Sequence, residues 1–135
     1  MEFTLKHEFN CKKETLFKAW LNSEQHSEMT GAEAIVSYNE SEKFTTWDGY
    51  ISGKNLVITP YSCIKQSWRT SQFAENQEDS IIELFFEDLS LGVSQITLKH
   101  TNLTDSNSDN GYKKGWIDHY FEPMSNYFDQ KNSND

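Results

Sequence analysis

Four histidines are the side chains in this sequence best suited to proton transfer near neutral pH. Two of them, His7 and His100, fall on apolar strand faces. An imidazole there can orient a ligand's polar group or act as a general base, and it is equally at home as a core side chain satisfied by backbone groups. His26 stands near Glu24 and Glu28, and His119 stands beside Asp118 and three residues before Glu122. The His119–Glu122 spacing can supply two metal ligands from one helix face, but no second pair on another element completes a site, so no metal is expected. Glu83 and Glu87 lie on the polar side of their strand, the wrong side for an inward acid/base pair. Arg69, next to Trp68, is expected to meet solvent or an ion-pair partner. Cys11 and Cys63 are far apart and match no CxxC or zinc spacing, so they read as reduced thiols. The six glycines form no phosphate-binding loop or dinucleotide fingerprint, and no nucleophile elbow is present. No catalytic residue is assigned, and no cofactor is implied.

The elements that must position these groups follow from periodicity. Phe3, Leu5, His7 and Phe9 alternate with polar residues, as in a half-buried strand. Leu16, Phe17, Trp20 and Leu21 make one apolar helical stripe, with Asn10 the nearest good cap residue. Asn22 and Ser23 can cap a second short helix running through Met29. From Glu33 to His100 the pattern is nearly all strand. Ala34, Val36 and Tyr38 alternate; Phe44 to Trp47 follows; Asp48-Gly49 signals a hairpin. Tyr50 to Thr59 is a long strand interrupted at Gly53, where a bulge or bend is expected. Ile64, Gln66, Trp68 and Thr70 share a face, as do Ile82, Leu84 and Phe86, and Ser94, Ile96, Leu98 and His100. The hairpins are short, so the sheet is antiparallel. A loop is expected over Thr104 to Asn110, then a helix from about Tyr112 to Asp129 with a kink at Pro123. Its stripe of Tyr112, Trp116, Tyr120, Met124 and Phe128 matches the apolar face of the sheet, so the helix should lie across it. The expected organisation is a single domain over residues 1–130 and a disordered tail over 131–135.

Composition limits the function. The 135 residues carry 12 basic and 21 acidic side chains, a net charge of -9, which opposes nucleic acid and anionic membrane surfaces as partners. No apolar run reaches the roughly 18 residues of a membrane span, and the N-terminus lacks the pattern of a secretory signal, so a cytoplasmic location is expected. Aromatic residues are 14% of the chain, so a few large rings must build the core. A free sheet edge is compatible with a monomer or a homodimer.

Three ordered stretches carry a family resemblance. Asp48-Gly49-Tyr50-Ile51-Ser52-Gly53, then Pro60, then Trp68-Arg69, is similar to a DG-x-hydrophobic-x-G…P…WR signature. Ser94 to His100 stands where the family has a T-x-L-x-L-like strand, and Gly115-Trp116 with Tyr120-Phe121 resembles the GW…YF opening of its last helix. The family is the activator of the 90-kDa heat-shock protein ATPase, C-terminal-domain type, in the START-like, helix-grip superfamily. The sequence departs from it at Ser41-Glu42-Lys43, where members have a small pair, and at Ser94, where they have Thr. The resemblance implies an α+β helix-grip fold: a curved antiparallel sheet of about six to seven strands around a long C-terminal helix, with two short helices after the first strand. It also implies space between sheet and helix for a small hydrophobic ligand. The expected lining is Trp20, Phe44, Ile64, Trp68, Leu84 and Phe86 from the first helix and the strands. Ile96 and Leu98 continue the sheet side, Trp116, Tyr120 and Met124 form the helix side, and His7 and His100 supply polarity. Non-enzymatic ligand binding is the expected function. Regulation of the 90-kDa chaperone ATPase, with the chaperone as partner, is the alternative, and a cyclase- or hydratase-like enzyme is a third reading.

Overall fold

The computed structural model describes residues 2–104 and 108–133. Strand β1 (Phe3–Phe9) leads into two short helices, α1 (Lys13–Leu21) and α2 (Ser23–Thr30). Five strands follow: β2 (Lys43–Thr46), β3 (Ile51–Thr59), β4 (Cys63–Thr70), β5 (Ser80–Ser90) and β6 (Val93–Thr101). The chain closes with α3 (Ser108–Trp116), a π-helical turn (Ile117–Phe121) and α4 (Glu122–Ser133). All six strands form one antiparallel sheet in the order β1-β6-β5-β4-β3-β2, the curved sheet of a helix-grip fold.

The alternation read from the sequence sets the sheet faces. Ile64, Gln66, Trp68 and Thr70 are buried on β4, as are Ile82, Leu84 and Phe86 on β5 and Ser94, Ile96, Leu98 and His100 on β6. In register, Leu84 faces Ile64 on one neighbour and Leu98 on the other, so same-face apolar rows cross the sheet. The C-terminal helix covers this face with Trp116, Tyr120, Phe121, Met124 and Phe128, all buried. α1 closes one end through Leu16, Phe17, Trp20 and Leu21.

Several details differ from the sequence-based expectation, each for a local reason. Residues 34–38 do not form a strand; only Ile35 pairs, through a two-way bridge to Thr45. The other side of this segment is satisfied by serines one turn apart on α2. Ser27 Oγ accepts from the Ala34 N–H, and Ser23 Oγ accepts from the Val36 N–H and donates to the Val36 carbonyl. Side-chain hydroxyls thus replace a strand partner, which leaves alternation without a ladder. The irregularity expected at Gly53 lies further along, between Asn55 and Val57. Gly53 answers a different need: a Cβ there would overlap the Ser67 carbonyl and sit 2.8 Å from Phe44 Cε2. At α1 the cap position is Lys12, without a side-chain cap bond, and Asp88 on β5 accepts from the Lys13 N–H instead. Asn22 does cap α2, accepting from the Gln25 N–H at 2.9 Å.

The expected kink at Pro123 takes the form of a π-helical turn just before it, in which the Glu122 N–H bonds back to the Ile117 carbonyl. The wider turn accommodates a residue that has no N–H and whose ring crowds the carbonyl one turn earlier. Helix already begins at Ser108, inside the expected 104–110 loop, and continues to Ser133, inside the expected 131–135 tail. Ser, Asp and Asn residues suit a helix start as well as a loop. The rest of that loop, 105–107, and the tail residues 134–135 lie outside the described residues.

Candidate functional site

The π-helical turn and the end of α3 face the β2–β3 turn across a cleft of about 520 Å³. Trp47, Tyr50 and Ile51 form one side, Tyr112, Trp116 and Tyr120 form the helix side, and Trp68, Thr70 and Gln72 from β4 and its following turn complete it. The size falls in the range of small-molecule sites, and the lining is aromatic with a few polar groups, as such sites require. Lys114, Asp118 and His119 also line it, so its charged groups are of both signs. The Trp68 and Trp116 ring centroids are 5.9 Å apart, and Trp116 and Tyr120 are 4.8 Å apart, so the rings support one another. Arg69 lies behind this wall. It donates to Asp79 at 2.7 Å and to the Gln77 and Ala74 carbonyls, which braces the 71–79 segment that carries Gln72.

The β2–β3 turn is the strained part. Trp47 and Asp48 both have left-handed backbone, with φ of 53° and 57°, ahead of Gly49 at 89°. Asp48 is fastened to Glu33 in both directions, its carboxylate accepting from the Glu33 N–H and its own N–H donating to the Glu33 carbonyl. The Trp47 indole N–H is buried without an acceptor. Backbone strain and unmet polar groups gather at ligand clamps more often than elsewhere.

Two buried histidines stand behind the cleft, and their hydrogen bonds fix their protonation. The Trp116 indole N–H, which can only donate, is 3.1 Å from His100 Nδ1. The His100 proton is therefore on Nε2, which donates to Ser80 Oγ at 2.8 Å, and Ser80 in turn donates to the Trp68 carbonyl. A serine hydroxyl this close to a histidine resembles a nucleophile–base pair, but the nitrogen facing it carries a proton and cannot accept one. Burial pushes His100 down to about 3. His26 Nδ1 donates to the Trp20 carbonyl at 2.7 Å, so its Nε2 accepts from the Tyr120 hydroxyl at 3.0 Å. Burial pushes His26 down to about 4, against the pull of that carbonyl, and raises Tyr120 despite its bond to Thr46. Both imidazoles are neutral spacers locking the helix to the sheet and to α2.

The Activator of Hsp90 ATPase homolog 1-like protein family matches residues 10–129. The chain belongs to this family. A curated relative, the activator of 90 kDa heat shock protein ATPase homolog of Dictyostelium discoideum, is 27% identical over 84 residues. That stretch is 62% of this chain and 22% of the relative, so the match spans under a quarter of the relative's length. A crystal structure of an HSP90 activator from Plasmodium falciparum superposes with a TM-score of 0.81 at 24% identity, covering 92% of this chain and 93% of that one. A Mesorhizobium loti protein gives the same TM-score at 14% identity, over 96% and 98% of the two chains. At these identities the two structures show a shared fold.

Within this activator-homologue fold, the residues expected to bind ligand divide. Trp68, Trp116 and Tyr120 line the cleft. Ile64, Leu84, Ile96, Leu98 and Met124 are 0% exposed, and Trp20, Phe44 and Phe86 are buried with them; none of these lines the cleft, because helix and sheet interdigitate there. His100 lies behind Trp116. His7 lies along β1, bonded to Ser125 and stacked on Phe121, with burial lowering its pKa against the nearby Glu122 and Glu8 charges. Trp47, Tyr50, Thr70, Gln72, Asp118 and His119 belong to the cleft and were not among the expected residues. The Asp48-Gly49 hairpin signal was the available clue, since residues flanking a turn reach the rim of a sheet. Among the described residues no group of three or more metal-ligating side chains assembles, including around His26 and His119. Cys11 and Cys63 are free thiols; burial pushes Cys11 up to about 11. No helix of the described residues is long and apolar enough to cross a membrane. A second groove of about 570 Å³, beside Phe17, Tyr38 and Tyr61, contains none of the expected residues.

Proposed function

We propose that this activator-homologue domain is a non-enzymatic, cytoplasmic protein that binds a small hydrophobic ligand in the cleft between the β2–β3 turn and the C-terminal helix. The observation that supports it is the aromatic lining itself. Trp47, Tyr50, Trp68, Tyr112, Trp116 and Tyr120 line an open cleft of about 520 Å³. Burying apolar ligand surface there contributes about 25 cal/mol per Å². The locked tautomers of His26 and His100 favour binding over acid/base catalysis, because neither imidazole can exchange a proton with the cleft without breaking a structural hydrogen bond. The test is titration with Nile red, a flat, uncharged dye that brightens in apolar sites. Saturable binding that weakens about tenfold in Tyr50→Ala supports the reading; absent binding, or binding indifferent to Tyr50, overturns it.

Regulation of the 90-kDa chaperone ATPase is the second reading. It is favoured by the family membership and by the named activity of the Plasmodium falciparum relative. A change in the steady-state ATPase rate of the cognate chaperone on adding this protein supports it, and an unchanged rate counts against it.

A further inference from the structure

The two edges of the sheet are treated differently. β2, at one edge, is only four residues long, and its outer side is bridged in both directions between Ile35 and Thr45. Where β3 runs on past β2, the 40–42 turn covers it. The Ser41 N–H donates to the Asn55 carbonyl, the Asn55 N–H donates to the Glu42 carbonyl, and the Glu40 carboxylate accepts from the Ile58 N–H. β1, at the other edge, has seven residues paired to β6 in unbroken register, with no proline and no bulge. Among the described residues nothing bonds to the backbone on its outer side. A regular strand left in that state is a template for another strand.

The inward face is also incompletely covered there. Phe3 and Phe9 are buried, but Leu5 and His7 between them are half-buried, whereas Leu98 and Ile96 opposite them on β6 are 0% exposed. Lys113 lies over Phe3 and Phe121 stacks on His7, and Ile117, one turn from each, is 37% exposed. Leu5, His7 and Ile117 offer apolar ground for the inward side chains of one more strand.

Charge selects the occupant. The outer face of β1 carries Thr4, Lys6 and Glu8, all exposed. When a strand pairs antiparallel with a copy of itself about a two-fold axis, residues equally far from the axis stand opposite one another, and both inward faces stay on one side. An axis at Lys6 or at Glu8 sets like charges opposite, and an axis at Leu5 sets Glu2 opposite Glu8. An axis at Thr4 brings Glu2 to Lys6 but engages only three residues of the strand. An axis at His7 engages five, Leu5 to Phe9, and sets Lys6 opposite Glu8 twice.

We infer that β1 docks a second copy of this chain, the two strands pairing antiparallel about His7 with Lys6 of each copy against Glu8 of the other, so that two six-stranded sheets join into one. The cleft lies toward the other edge, at the β2–β3 turn, so failure of either reading leaves the other intact.

Sedimentation equilibrium up to about 1 mM protein measures the dimer in wild type, Lys6→Glu and Glu8→Lys, with circular dichroism in parallel to follow the fold. Wild type should dimerise. Each variant sets two like pairs beside the axis and should dimerise at least about tenfold more weakly. An equimolar mixture of the two variants should recover the wild-type affinity, because in the mixed dimer every 6–8 pair is again opposite in charge. Amide exchange of wild type needs no variant: exchange in β1 should slow as protein concentration rises, and exchange in β2 should not. A wild type that stays monomeric, a dimer weakened by only one substitution or by neither, a mixture no tighter than its components, or concentration-independent exchange in β1 overturns the inference.

Discussion

His100 and His26 are buried bases whose hydrogen bonds require the neutral ring, so each couples protonation to unfolding. Folded, they titrate at about 3 and about 4; in the unfolded chain both return to about 6.5. The stability they contribute is fully present above the unfolded value. It is lost as pH falls from about 6.5 toward the folded values, because only the unfolded chain binds the protons. Each group adds a slope of up to about 1.4 kcal/mol per pH unit. The melting temperature should therefore fall between pH 7 and pH 5.5, and His26→Gln should flatten that dependence relative to wild type. Equal slopes in the two proteins would show that His26 does not titrate on unfolding. This coupling was not legible in the sequence. His100 was recognisable as an inward residue from its strand, but its partner Trp116 comes from a helix that the alternation of β6 cannot locate, and His26 carried no apolar periodicity of its own.

At the scale of the element, the strands were legible wherever alternation and ladder coincide. β4, β5 and β6 turn inward the residues expected to point inward. Residues 34–38 show the limit, because alternation marks which side chains face the protein but not whether the backbone is paired by a strand or by Ser23 and Ser27. Pro123 announced a disturbance in the last helix without specifying a π-helical turn. Gly53 announced a special position on β3, and its cause is the close approach of Ser67 backbone and Phe44. Gly53→Ala should accordingly destabilise the protein by about 3 kcal/mol or more, since it drives a methyl into backbone that cannot yield easily. Urea unfolding measures this, and a loss below about 1 kcal/mol would mean that β3 can move away from β4 at little cost.

Across the whole molecule, the sequence supports the helix-grip arrangement because two signals agree: a sheet with one apolar face and a terminal helix with a matching stripe. The position of the cavity was less accessible. Side chains midway along the grip, such as Leu84, Leu98 and Met124, interlock and leave no room. Space remains where the helix passes the β2–β3 turn, a juxtaposition set by sheet curvature and by the Asp48–Glu33 fastening, neither of which periodicity encodes. The central claim is that a ligand enters this space. The four indole N–H signals of Trp20, Trp47, Trp68 and Trp116 can be followed by NMR as Nile red is added. Saturable shifts at Trp47, Trp68 and Trp116, with Trp20, bonded to Gln66 in the closed core, moving least, are the predicted result. Binding that leaves those three signals in place would contradict it.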